Sequence, residues 1–192
     1  GKAYLYVSTG ASCVSGHCQW RPTISVLPLS RDRRHAAGPR IPLFSGDPGT
    51  WEQAPWAPVV EAPWTVRRGR TYVLIYSGGA WSGRYGMGYA SASSPVGPFT
   101  KARENPLLAD SVAVRSAGGG SLVTGPAGGS WVIYHGRSGA YDRPRLMRIE
   151  RVRWAGDRPS IVGPTVTPQA PVPCATRARA PHRAEARSRL QA

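Results

Sequence analysis

The 192-residue sequence predicts an all-β chain built from a repeated antiparallel unit. The composition is rich in turn formers and aromatics, with 23 Gly, 19 Pro, 7 Trp and 8 Tyr, and poor in apolar stripes at helical spacing. One aromatic–apolar strand recurs three times, as AYLYVSTG from Ala3, TYVLIYSGG from Thr71 and SWVIYHG from Ser130. Each ends in Gly, as a half-buried strand meeting a turn does. Each is also followed by a second apolar run: TISVLPLS from Thr23, YGMGYASAS from Tyr85 and LMRIERVRW from Leu146.

Two of the three units are preceded by a further strand and turn. These are PVVEAPWTVRRGR from Pro58 and AGGGSLVTGPAGG from Ala117, whose glycine turns at Gly69 and at 125–129 suit tight hairpins. The unit is therefore strand, turn, strand, loop, strand, repeated at about 60 residues, which resembles propeller blades with long loops. Two full units and the remnant of a third are present, too few to close a ring. From 163 to 173 the chain is rich in Pro and Thr and is expected to be an extended closing segment. The incomplete propeller domain is thus assigned to 1–173. Residues 174–192, rich in Ala and Arg with no apolar stripe, are expected to form a disordered tail.

The formal charge of +15 and the pI near 11.0 would raise nucleic acid as a partner. The distribution argues against it. Lys2 and Lys101 are the lysines, and the arginines are scattered without a compact basic stripe interleaved with aromatics. Non-specific adsorption to polyanions is the expected consequence. No run approaches the ~18 apolar residues of a membrane span. The chain opens at Gly1-Lys2 without Met or leader, so a preceding segment is expected to be missing. Cys13 and Cys18 can form a small loop disulfide in a secreted protein or remain two thiols, and Cys174 is left over in the tail.

At this point a family resemblance emerges. Val60-Glu61-Ala62-Pro63, Tyr72 to Ser77, Gly88-Tyr89-Ala90 and Ser94 to Phe99 resemble, in order and spacing, the general-acid blade of glycoside hydrolase family 43. Gly118-Gly119-Gly120-Ser121, Trp131 to His135 and Arg145 to Trp154 are similar to the blade that follows. The resemblance covers Gly1 to Pro173 and implies a partial five-bladed β-propeller: the end of blade 3, then blades 4 and 5. It further implies a secreted, extracellular glycosidase of the arabinanase, arabinofuranosidase or β-xylosidase kind, acting on oligo- or polysaccharides containing arabinose or xylose.

The resemblance places the general acid at Glu61, at the start of an inner strand. An inverting glycosidase pairs such an acid with a carboxylate base ~6.5–9.5 Å away, which activates water on the opposite face of the sugar. In the family the base Asp and a second Asp that tunes the acid belong to earlier blades. Asp32 and Asp47 lie in loops here, and Asp110, Asp142 and Asp157 at turn-like positions. The chain by itself is therefore expected to be inactive. Trp81 and Tyr85 are candidate stacking platforms for sugar rings, and Arg145 a candidate ligand for sugar hydroxyls. Trp64 is expected in the core, and His135, at a strand end, as a satisfied structural histidine.

No cofactor is required. A structural calcium occurs in the family near a His of the last blade, but here that position is Gly119, which puts calcium binding in doubt. The alternative function is a non-catalytic carbohydrate-binding propeller remnant holding sugar through Trp81 and Arg145. Neither specific nucleic acid nor membrane is expected as a partner. Self-association through unclosed blade edges is expected.

Overall fold

Strands alone make up the regular structure of the residues that the computed structural model describes, 2–14, 17–125 and 128–169. They form three antiparallel sheets in which chain neighbours are sheet neighbours. The first holds β1 (Ala3–Val14), β2 (His17–Leu29) and β3 (Ile41–Ser45). The second holds β4 (Val60–Arg68), β5 (Thr71–Gly79), β6 (Tyr85–Ala92) and β7 (Thr100–Lys101). The third holds β8 (Val114–Thr124), β9 (Ser130–Ser138), β10 (Arg145–Ala155) and β11 (Arg158–Ile161). Each sheet is one blade of a partial β-propeller.

The middle sheet explains why β5 reads as a nearly continuous apolar run. Side chains alternate across a strand, and here both faces are covered. Leu74 and Tyr76 join Ile24, Val60 and Phe99 in a core against the first sheet. Val73 and Ile75 join Met87, Val114, Val132 and Tyr134 in a core against the third. Burial of such side chains contributes about 1.5–3 kcal/mol each. Among the described residues, the third sheet is covered on one side. Along β10, Glu150 and Val152 are buried while Met147, Ile149, Arg151 and Arg153 face outwards, Met147 being 83% exposed. Among the described residues, apolar surface is therefore open on this blade.

Two buried carboxylates tie segments together. Glu52 accepts from the Tyr76 hydroxyl at 2.7 Å and from Lys101 Nζ at 2.6 Å. Lys101 also reaches Asp47 and the Ser45 carbonyl, joining the end of β3 to the outer edge of the second sheet. Glu150 accepts from the backbone and hydroxyl of Thr165 and from Gln169, which fastens the extended segment after β11 onto β10. The half-buried Trp51 indole lies over Gly78, Gly86 and Gly88; a Cβ at Gly88 would stand 2.7 Å from the ring.

Several expectations need amendment. Trp64 is not in the core: it is 42% exposed. A break in the β4–β5 register between Glu61 and Trp64 disrupts the alternation there and turns the indole outwards. His135 lies within β9 rather than at its end. The short outer strands β3, β7 and β11 carry no long apolar run and were not predicted. Cys13 and Cys18 are paired across the β1–β2 register. The tail expected at 174–192, with Cys174, lies outside the described residues.

Candidate active site

The start of β4, the β5–β6 loop, the start of β8 and the β9–β10 loop lie at the same end of their sheets, because each blade is an up-and-down meander. Glu61, Trp81, Tyr85 and Arg145 all belong to this end.

At Glu61 the strand is bent for a purpose its sequence partly discloses. Ala62 adopts φ 51°, a left-handed conformation costing a non-glycine residue about 1–3 kcal/mol, and the register breaks directly after Glu61. The third sheet repeats this device. Val60 and Val114 are both fully buried, Glu61 and Arg115 follow them, and Ser116 also has φ 51° before its own register break. Val114-Arg115-Ser116 is thus the structural counterpart of Val60-Glu61-Ala62. That correspondence is readable in the repeat, yet Arg115 was not singled out as a candidate.

Tyr85 donates a 2.6 Å hydrogen bond to Glu61 Oε1. Burial, then the Glu61 charge, pushes its hydroxyl well above the usual phenol range, so it is a firm donor at neutral pH. The expectation of a stacking platform is not met, since Tyr85 is 4% exposed. The His135 ring stacks on it with centroids 5.8 Å apart and planes 8° apart, and Gly118 lies so near that a Cβ there would be 2.0 Å from Cε1. Glycine is required at 118 for this contact. Ser77, fully buried, accepts from the Gly119 amide at 2.8 Å and holds the inner strand of the third sheet against the second.

His135 is not the satisfied histidine expected. Its Nδ1 is buried, and among the described residues no neighbour meets hydrogen-bond geometry there, although the Ser116 backbone lies close. Burial foremost, then the Arg145 and Arg137 guanidiniums, hold the imidazole below its usual range. Its Nε2 occupies the space beside Gly119, where a Cβ would stand 2.7 Å away and φ is +67°. The donor at the doubted calcium position is therefore an imidazole nitrogen. An imidazole from β9 thus stands where the resemblance expects a histidine, and no step is routed through a metal.

Trp81 and Arg145 meet each other. Trp81 is 46% exposed, and the Arg145 guanidinium stands 5.4 Å from the centre of its ring. The loop bearing Trp81 is a turn closed by Ala80 N–H to the Arg84 carbonyl. It is fastened to β8 because Ser116 Oγ donates to the Gly83 carbonyl at 2.9 Å. The Arg145 charge also reaches the Tyr85 hydroxyl, so the Trp81–Arg145 and Glu61–Tyr85 pairs share one electrostatic neighbourhood.

Antiparallel meanders of three and four strands, with Glu61 at the start of one inner strand, define a partial β-propeller. The family model for glycosyl hydrolases family 43 matches residues 1–159, and the chain belongs to that family. It is similar to a crystal structure of a thermostable family-43 glycoside hydrolase, with a TM-score of 0.76 and 25% identity over 88% of this chain and 56% of that one. It is also similar to an endo-1,4-β-xylanase from Bacteroides thetaiotaomicron, with a TM-score of 0.72 and 26% identity over 85% and 55% of the two chains. A β-D-galactofuranosidase (xynD) from Aspergillus niger is 33% identical over 79 residues, 41% of this chain and 23% of the relative. The chain thus spans a little over half of these two solved structures and under a quarter of the galactofuranosidase.

Proposed function

We propose that this chain supplies the acid half of an inverting glycosidase acting on arabinose- or xylose-containing polysaccharides, with Glu61 as general acid. The observation that carries the reading is the place of Glu61 at the strained start of β4, where the Tyr85 hydroxyl orients its carboxyl group. This hydrogen bond holds one carboxylate oxygen and leaves the other to face a glycosidic oxygen. Trp81, with Arg145 against it, offers an exposed aromatic edge and a guanidinium to sugar rings and hydroxyls. Family membership and the xylanase likeness support the substrate class.

Inversion needs a base opposite the acid. The family resemblance assigns that base to an earlier blade than the one that bears Glu61. The 192 residues alone are therefore expected to turn over aryl arabinofuranosides and xylosides little or not at all. Robust turnover by this chain that is indifferent to Glu61→Gln would overturn both the assigned acid and the missing base. An extracellular location is part of the same proposal, supported by the polymeric substrate class.

The exposed Trp81–Arg145 pair favours a second reading, a carbohydrate-binding propeller without catalysis. Calorimetric titration with arabino- and xylo-oligosaccharides separates the two: binding abolished by Trp81→Ala, with no hydrolysis in any form of the protein, supports the second.

A further inference from the structure

Beside the Glu61 site, and sharing Tyr85 as a wall, a cleft of about 310 Å³ opens between the second and third sheets. That is the lower end of the size range of ligand pockets. Trp51 forms its apolar side, and Arg84, Arg115, Asp110 and Tyr141 its polar rim. Asp110 Oδ2 accepts from the Tyr141 hydroxyl at 2.7 Å, and the Arg115 guanidinium lies 5.5 Å from the centre of the Tyr141 ring. Both Arg115 and Arg84 are close enough for their charges to act on that hydroxyl. Among the described residues neither guanidinium has a carboxylate at ion-pair distance. Arg115 is, moreover, the counterpart of Glu61 in the next blade, aimed by the same left-handed bend at Ser116.

We propose that this cleft is a subsite for a carboxylated sugar, a uronic acid carried by the glycan that the Glu61 site engages; the inference rests on the glycan reading above. Two guanidiniums and one carboxylate leave one net positive charge, which matches a single sugar carboxylate. A dianionic phosphate would exceed that charge and confront Asp110. A planar guanidinium binds carboxylate oxygens in a fork, while the Trp51 indole suits the apolar side of a sugar ring.

The test is calorimetric titration of the folded 192-residue chain at physiological salt. The probes are a xylo-oligosaccharide bearing a glucuronic acid branch and the same compound with its carboxyl reduced to an alcohol. The acid form is expected to bind at least tenfold tighter. Arg115→Gln and Arg84→Gln should each erase the preference, while Arg153→Gln, on the outer face of β10, should keep it. Equal affinities in the unaltered chain would overturn the proposal, as would a preference that survives both cleft variants. Equal loss in Arg153→Gln would reduce the effect to diffuse attraction by the +15 charge. Binding of both forms without preference sinks this inference and leaves the glycan reading standing. Binding of neither sinks both.

Discussion

Tyr85 holds Glu61: its hydroxyl donates to Oε1 at 2.6 Å from a ring locked between neighbouring side chain and backbone. A hydrogen bond to a charged group contributes about 1.5–3 kcal/mol where water cannot replace it. Glu61 is only half-buried, so Tyr85→Phe is expected to lower stability by about 1–2 kcal/mol in urea denaturation. In the Glu61→Gln background the same change should cost clearly less, because the charged acceptor is gone. Equal costs in both backgrounds would show that the two residues are not coupled.

Gly118 is expected to tolerate no side chain. The Cβ of Gly118→Ala would stand 2.0 Å from Tyr85 Cε1, and the buried ring cannot swing away without leaving Glu61. Overpacking of this kind costs about 1–3 kcal/mol. A lowered melting temperature should follow, whereas Gly128→Ala, with nothing within 4 Å of its Cβ, should show only the smaller cost of its φ of +76°.

Lys101 offers a larger effect. Its side chain is 17% exposed and that of Glu52 is 2%, at 2.6 Å separation. Removing one member of a buried pair leaves an uncompensated charge, at about 3–5 kcal/mol. Lys101→Met is therefore expected to unfold at much lower denaturant, and Lys101→Met combined with Glu52→Gln should recover part of the loss.

His135 should make stability depend on pH in a predictable direction. Burial and the Arg145 and Arg137 charges lower its folded-state value below the ordinary 6.5. Below pH 6.5 the unfolded chain therefore takes up a proton that the folded chain refuses, and stability falls as the pH drops. Above that range both states are neutral and the effect vanishes. Denaturation curves between pH 7.5 and 5.5 should show the loss in the unaltered protein and a flatter profile in His135→Gln; equal slopes would exclude the residue as its source.

Much of the fold was legible because the chain repeats. Strands such as Thr71–Gly79 and Ser130–Ser138 carry strong β patterning, and their ordered recurrence identifies blades. The outer strands β3, β7 and β11 were not legible, since edge strands of two to five residues are too short to show a clear alternation. Glu61 stood out through its flanking residues, and the structure gives it a partner. The burial of Tyr85 and the setting of His135 were not legible, because aromatic character alone does not say whether a ring will be covered. The exposure of Trp64 depends on a register break that Pro63, unable to donate to the ladder, signals only in part.

What the sequence determined by itself was the all-β blade repeat, the family, and the position of one carboxylate at the head of an inner strand. These follow from alternation and turn chemistry, which are local. Tertiary structure alone decided that Tyr85 grips Glu61, that Trp81 meets Arg145, and that Arg115 faces a cleft between two blades. Those contacts join residues brought together by sheets stacking on one another, and a strand's own periodicity carries no record of which neighbour will lie across the gap.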